Sequence, residues 1–272
     1  MPYRILHVSD LHVGPPFCKP IAEALVRQAH ALRPDLLVIS GDFVQRADFP
    51  SQWEAARTLR AALPSPQLVV PGNHDVPLFN LYLRLFAPLA LYRQMISRDL
   101  NPVFTLPGLV VVGAVTAHGL TLDGGKVSQA QAAALRTILG RYGPDTCKIV
   151  VWHHPVMNPP GPYRDRVIEA APAAIRLLDA CNVELLLCGH LHVTFIGNTR
   201  NVVHDLHQGT IICQSGTTTS RRGHGPEQGK HSCNLIEVDA QAIKISSLLY
   251  QAASDRFEST AEYVFPRRTG EF

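Results

Sequence analysis

The sequence predicts an α/β fold of parallel strands joined by helical crossovers, and three observations predict it. Short apolar runs of strand length recur from Ile5 to Leu187, segments with helical spacing lie between them, and Asp, His and Asn residues stand just past the ends of those runs. Polar groups placed that way gather along one sheet edge.

Ile5 to Val8 reads as the first strand, and Ile21 to Ala29 as a helix that stops before Arg33-Pro34. Leu36 to Ile39 follows as a second strand and completes a strand, helix, strand unit. The unit repeats: Ser51 is placed to cap a helix through Trp53, Ala56 and Leu59, and Pro64-Ser65-Pro66 breaks it before the strand Leu68 to Val70. Strands connected through helices run parallel. Residues 77 to 100 read as a helical excursion. Ordinary core packing is the expected use of its Leu78, Phe79, Leu81, Tyr82, Leu85 and Phe86, with a cap over the site or a homo-oligomer surface as the alternative. Val103 to Leu106 and Leu109 to Val112 flank Pro107-Gly108 as a hairpin, which brings in antiparallel pairing. Ser128 is placed to cap an Ala-rich helix to Leu139, Ile149 to Val151 is a strand, and a helix from Val167 to Leu178 precedes the strand 185 to 188. After His192 only short strands are expected: Thr194 to Gly197, Thr210 to Cys213, Asn234 to Val238 and Ile243 to Leu249. Asn158 to Pro162 and Gly216 to Lys230 are Pro/Gly-rich or polar loops of functional length.

With 272 residues, 46% hydrophobic and 17% charged, the chain can bury a large core as one domain. Its formal charge of +3 is small and dispersed, and no long basic stripe with interleaved aromatics announces a nucleic-acid partner. Met1-Pro2-Tyr3-Arg4 leads straight into a strand without room for an export signal, and no apolar stretch approaches the roughly 20 residues that span a bilayer. A cytoplasmic protein without a membrane partner is the expectation. Cys18, Cys147, Cys181, Cys188, Cys213 and Cys233 lack paired C-x-x-C spacing, which argues against a zinc ribbon or disulfide framework. Cys147, Cys188 and Cys213 lie in apolar runs and read as small buried hydrophobes.

Five polar pieces follow the strands in order: Asp10-Leu11-His12, Gly41-Asp42, Gly72-Asn73-His74-Asp75, His153-His154-Pro155 and Gly189-His190-Leu191-His192. Asp10 and His12, two apart at a strand end, can converge on one ion. Asp42 follows a glycine that permits close backbone approach, and its two oxygens can bridge two cations. Asn73 offers a neutral carbonyl oxygen. His74 beside it diverges toward substrate, and Asp75 is placed to orient or charge-stabilise the His74 imidazole. His153 is the first polar residue past its apolar run and reads as a ligand, with His154 beside it; the reverse assignment stays open. His190 and His192 repeat the two-residue spacing. Any one of these histidines reads most simply as a surface or core residue, whereas seven ligand-type residues at strand ends read as a metal site.

The order D-x-H, G-D, G-N-H-D, H-H-P and G-H-x-H resembles the calcineurin-like metallophosphoesterase superfamily across residues 5 to 192. Gly216-Thr217 and Ser220-Arg221-Arg222 are similar to bacterial members near the class III cyclic-nucleotide phosphodiesterases and glycerophosphodiesterases. The resemblance implies a four-layered α-β-β-α sandwich, two mixed β-sheets flanked by helices. It would form a single domain over 1–272, in which the C-terminal strands, about residues 193 to 265, complete the second sheet. It also implies one metal held by Asp10, His12, Asp42 and His192, and another held by Asp42, Asn73, His153 and His190. Both would be divalent or trivalent transition ions, Fe, Mn or Zn, a choice with which the mixed oxygen and nitrogen ligands agree.

Such a pair of ions supports direct attack of a bridging hydroxide on phosphorus, and no G-x-S-x-G nucleophile elbow is present. His74 is the candidate acid for the leaving group, with Asp75 raising its basicity. The expected partner is a small phosphodiester, 3',5'-cyclic AMP first, with a glycerophosphodiester or broad monoester and diester hydrolysis as alternatives. Substrate contacts are assigned to Asn73, His74, Arg221 and Arg222, with Arg164, Arg166, His224, Lys230 and His231 as further loop candidates that read equally well as solvated charges. Relatives that lose ligands or the histidine acid become protein-binding scaffolds, but here every such position is filled.

Overall fold

A strand that is apolar at every position must be covered on both faces, and that requirement sets the layering. The computed structural model describes residues 2–161, 167–223 and 225–267. Six strands form the first sheet: β1 (Tyr3–Val8), β2 (Leu36–Ile39), β3 (Gln67–Val69), β10 (Ser232–Val238), β11 (Ala242–Gln251) and β12 (Arg256–Pro266), in the order β12-β11-β10-β1-β2-β3. The second has β4 (Val103–Leu106), β5 (Leu109–Gly113), β6 (Cys147–Val151), β7 (Leu185–Cys188), β8 (Phe195–Asn198) and β9 (Ile211–Gln214), in the order β4-β5-β6-β7-β9-β8. Each is mixed: β1, β2 and β3 run parallel, as do β5, β6, β7 and β9, while the outer pairings are antiparallel.

The period of two in each strand divides its residues between two cores. Ile5, Leu36 and Val38 face the second sheet and meet Val111, Ile149 and Leu187. Leu6, Leu37 and Ile39 face the other way, under α1 (Lys19–Leu32) and α2 (Pro50–Ala62), where Leu25 and Trp53 complete an outer core. Val110, Val150 and Leu186 do the same on the far side under α5 (Gln129–Leu139) and α6 (Ala171–Ala180). The result is the expected four layers, helices on sheet on sheet on helices. Among the described residues no helix is long and apolar enough to cross a membrane.

Several expectations change in detail. The tail does not complete one sheet: β8 and β9 join the second sheet, whereas β10 to β12 extend the first beyond β1. The helix expected after a Ser51 cap begins earlier, at Pro50, because a proline fits the first helical turn; Phe49 is its N-cap and offers no side-chain hydrogen bond. Ser128 does cap α5, accepting from Gln131 N at 3.2 Å while Ser128 N donates to Gln131 Oε1 at 2.8 Å. Residues 77 to 100 split into two short helices, α3 (Leu81–Phe86) and α4 (Ala90–Met95). Leu89, Tyr92 and Ile96 reach the outer core, yet Phe79, Leu81, Tyr82, Leu85 and Phe86 are 65, 64, 72, 55 and 74% exposed. Core packing is therefore corrected for this stretch. The inward side of α3 is taken by Arg84, buried and donating to Pro77 O at 2.7 Å and to Thr121 O.

The contact between the sheets carries the layering, so Ile149→Ala, which opens a cavity between them, is expected to destabilise the chain by about 2 to 5 kcal/mol, read as a lower midpoint in urea denaturation.

Candidate metal centre

The loops after β1, β2 and β3 and those after β6 and β7 come from different sheets and meet at one edge of the stack. They turn sharply to do so. Asp10, His12, Asp42, His190 and His192 all have left-handed backbone, with φ of 53°, 46°, 54°, 76° and 55°. That conformation costs about 1 to 2 kcal/mol per non-glycine residue, and neighbouring loops hold it in place. Asp10 N donates to Gly41 O at 3.1 Å, His12 N to Asp42 O at 2.9 Å, and Thr217 Oγ1 to Asp10 O at 2.7 Å. The two-residue spacing of D-x-H and H-x-H thus works through paired left-handed turns, not through strand alternation.

Each carboxylate spends one oxygen on position and presents the other. Asp10 Oδ2 accepts from Ser9 Oγ at 2.6 Å and His190 N at 3.0 Å. Its Oδ1 faces His192 Nε2 at 3.2 Å and His12 Nε2 at 3.6 Å. Asp42 Oδ1 accepts from His74 N at 2.8 Å, while Oδ2 faces His153 Nε2 at 3.3 Å and His12 Nε2 at 3.6 Å. Backbone must come very close for this. A Cβ on Gly72 would lie 2.1 Å from Asp42 Oδ1, and one on Gly189 would lie 2.3 Å from Asp10 Oδ2.

Two imidazoles are oriented by carbonyls, which can only accept. His192 Nδ1 donates to Arg222 O at 3.0 Å and His153 Nδ1 to Ser40 O at 2.8 Å, so both turn Nε2 inward. Asn73 Oδ1 lies 3.1 Å from His153 Nε2 and 3.0 Å from His190 Nδ1, and its amide nitrogen donates to Leu122 O at 3.3 Å. His154 points elsewhere, with Nδ1 2.8 Å from Thr116 Oγ1. The structure therefore brings His153, not His154, to Asp42 and Asn73.

Burial would raise the Asp10 carboxyl, but the His12 and His192 imidazoles beside it hold it well below the usual range. Asp42 is likewise held low against burial, chiefly by His153 and His74. Burial pushes His12 and His190 down to about 3. It opposes charge on His153 too, yet the Asp42 carboxylate beside it raises that ring to about 9. The cluster thus favours positive charge at its centre. Ligand atoms of Asp10, His12, Asp42 and His192 all lie within 4.8 Å of one another, and Asp10 Oδ1 and Asp42 Oδ2 are buried without a hydrogen-bond partner among the described residues. Such inward lone pairs fit cations. With Asn73, His153 and His190 on the other side of Asp42, this set of Asp and His residues suits a two-metal site.

Beside it opens a cavity of about 240 Å³. His74 and Asn73 line it with Arg46, Arg222, Leu78 and Leu122. His74 Nδ1 lies 2.8 Å from Gln45 O and 2.9 Å from Arg46 Nη1. Burial lowers the His74 pKa, with Asp42 opposing and Arg222 adding to the shift. The assignment of Asp75 as its partner is corrected: Asp75 accepts from Phe43 N at 2.9 Å, Val44 N at 3.2 Å and Gly72 N at 2.9 Å, which ties the loops after β2 and β3 together. Its short side chain is used up by backbone donors. Arg221 is also corrected: it is exposed and anchored through its backbone to Pro16 O at 3.3 Å, outside the cavity that Arg222 lines. Arg164, Arg166 and His224 lie outside the described residues. Lys230 pairs with Glu227 at 3.2 Å, and His231 packs against Tyr250. Arg46 was missed because one arginine four residues past Asp42 carries no signal until the loop is folded.

The family model described as calcineurin-like phosphoesterase matches residues 3–194. Glycerophosphodiester phosphodiesterase GpdQ from Enterobacter lignolyticus is 42% identical over 67 residues, a stretch that spans 24% of this chain and 24% of that protein. Among solved structures, purple acid phosphatase PPD1 from yellow lupin matches with a TM-score of 0.72 at 11% identity, over 98% of this chain and 54% of that one. A dimetal phosphatase from Danio rerio matches with a TM-score of 0.66 at 13% identity, over 98% and 99%. At these identities the two structures show the shared fold.

Asp75→Asn sets an amide donor against one of three backbone N–H groups, so a loss of about 1 to 3 kcal/mol is expected in urea denaturation.

Proposed function

Because this chain belongs to the calcineurin-like phosphoesterase family, we propose that it is a two-metal phosphodiesterase acting on a small phosphodiester. The observation that carries the proposal is Asp42 Oδ2, a buried oxygen that faces histidines from both halves of the cluster. Asp10, His12, Asp42 and His192 would hold one ion, and Asp42, Asn73, His153 and His190 the other. Iron, manganese and zinc suit this mix of carboxylate, amide oxygen and imidazole. Bound there, two such ions supply Lewis acidity and lower the pKa of water.

The chain's own residues supply the rest. Arg46 and Arg222 place positive charge on the cavity side of His74, where a phosphate ester is received. His74 is positioned to give a proton or hydrogen bond to the departing alkoxide, its ring fixed by the contact of Nδ1 with Gln45 O. The relative named a glycerophosphodiester phosphodiesterase supports a diester, and within that class favours a glycerophosphodiester over 3',5'-cyclic AMP.

Hydrolysis of bis(p-nitrophenyl) phosphate with added manganese, abolished by a chelator, is the expected result; inactivity across manganese, iron and zinc would overturn the reading. Asp42→Asn should lose both ions by elemental analysis, and retention of both with full activity would remove its bridging role.

His74→Ala should keep its metal content while turnover falls about 10²- to 10⁴-fold. The loss should be greatest for diesters with poor leaving groups, and an equal loss for good and poor ones rules out the acid role.

A further inference from the structure

We infer that the substrate is an amphiphile, a phosphodiester whose apolar chain lies on the outward face of α3, an inference that rests on the phosphodiesterase reading. The cavity beside His74 has a mixed lining: Arg46, Arg84, Asp123 and Arg222 supply charge, and Val76, Leu78 and Leu122 supply apolar wall. Next to Leu78 in the chain, Phe79, Leu81, Tyr82, Leu85 and Phe86 are exposed, as is Leu120 two residues before Leu122. A charged head among guanidinium groups and a chain across the adjoining apolar face is the arrangement an amphiphilic phosphodiester requires.

The outward aim of that face is built in. Leu81 and Leu85, and Tyr82 and Phe86, are four apart and share one side of the helix. The other side is anchored by polar contacts: Arg84 reaches Pro77 O and Thr121 O, and Asn80 Oδ1 accepts from Leu83 N at 3.0 Å. Asp48 accepts from the backbone N–H groups of Leu78, Phe79 and Asn80. The rim loop is held on the same helix, because a Cβ on Gly119 would meet Arg84 O at 1.8 Å. Inverting α3 to bury its apolar side would break the contacts to Thr121 O and to Asp48.

Alkyl p-nitrophenyl phosphates test this, since the leaving group is constant and only the chain grows. With manganese, kcat/KM for the dodecyl ester should exceed that for the methyl ester by about tenfold or more, and Leu85→Glu combined with Phe86→Glu should remove most of that ratio. Equal rates for the two esters would overturn the inference and leave the phosphodiesterase reading standing. If neither ester is cleaved with manganese, iron or zinc, that reading fails, and calorimetric titration with dodecylphosphocholine then decides whether this face binds an amphiphile. Binding that the double variant loses upholds it, and absence of binding overturns it. A dimer in sedimentation velocity that the double variant dissociates would also overturn it, by giving the face to a second copy.

Discussion

One carboxylate oxygen organises this molecule. Asp42 Oδ2 is buried, faces His12 from the first sheet's loops and His153 from the second's, and has no hydrogen-bond partner among the described residues. An anion removed from water is costly unless positive charge meets it, and here the nearby histidines and any bound cation are what meet it. The glycine before Asn73, the left-handed turns and the tie through Asp75 all place that oxygen or its neighbours. The two sheets must stack in one register for His153 and Asp42 to meet, so the apolar layer between them is also part of the site.

The division of labour within each carboxylate explains how the cluster keeps its shape. Asp10 and Asp42 are both fixed through one oxygen by a neighbouring backbone N–H, from His190 and His74. Those donors belong to residues of the cluster itself, so moving one loop moves two side chains. Strain in the left-handed turns is held by cross-loop hydrogen bonds, in keeping with the clustering of such strain at functional sites.

Much of this was legible in the sequence for a simple reason. Buried parallel strands are mostly apolar, so a strand's end shows as the first Asp, His or Asn after such a run, as at Asp42 and His153. What stayed hidden depended on three-dimensional competition. Sequence adjacency pairs Asp75 with His74, but two backbone donors from the loop after β2 and one from its own loop claim it. The composition of 77 to 100 is that of core, and the buried Arg84 with the exposed Leu81, Tyr82, Leu85 and Phe86 shows which way α3 turns. Short C-terminal strands carry no mark of which sheet they join, so the division after β9 follows from pairing partners far back in the chain.

Asn73 has one further consequence. A side-chain amide is planar and its ends are chemically opposite: here the oxygen meets the imidazoles of His153 and His190 while the nitrogen holds Leu122 O. Flipping the amide would set a donor against the histidine side and an acceptor against a carbonyl, so the group has a single stable reading direction. It therefore works as a latch between the interior and the rim. The loop that borders the cavity, held on its other side by Arg84, is thereby joined to the histidines inside through one rigid plane of atoms.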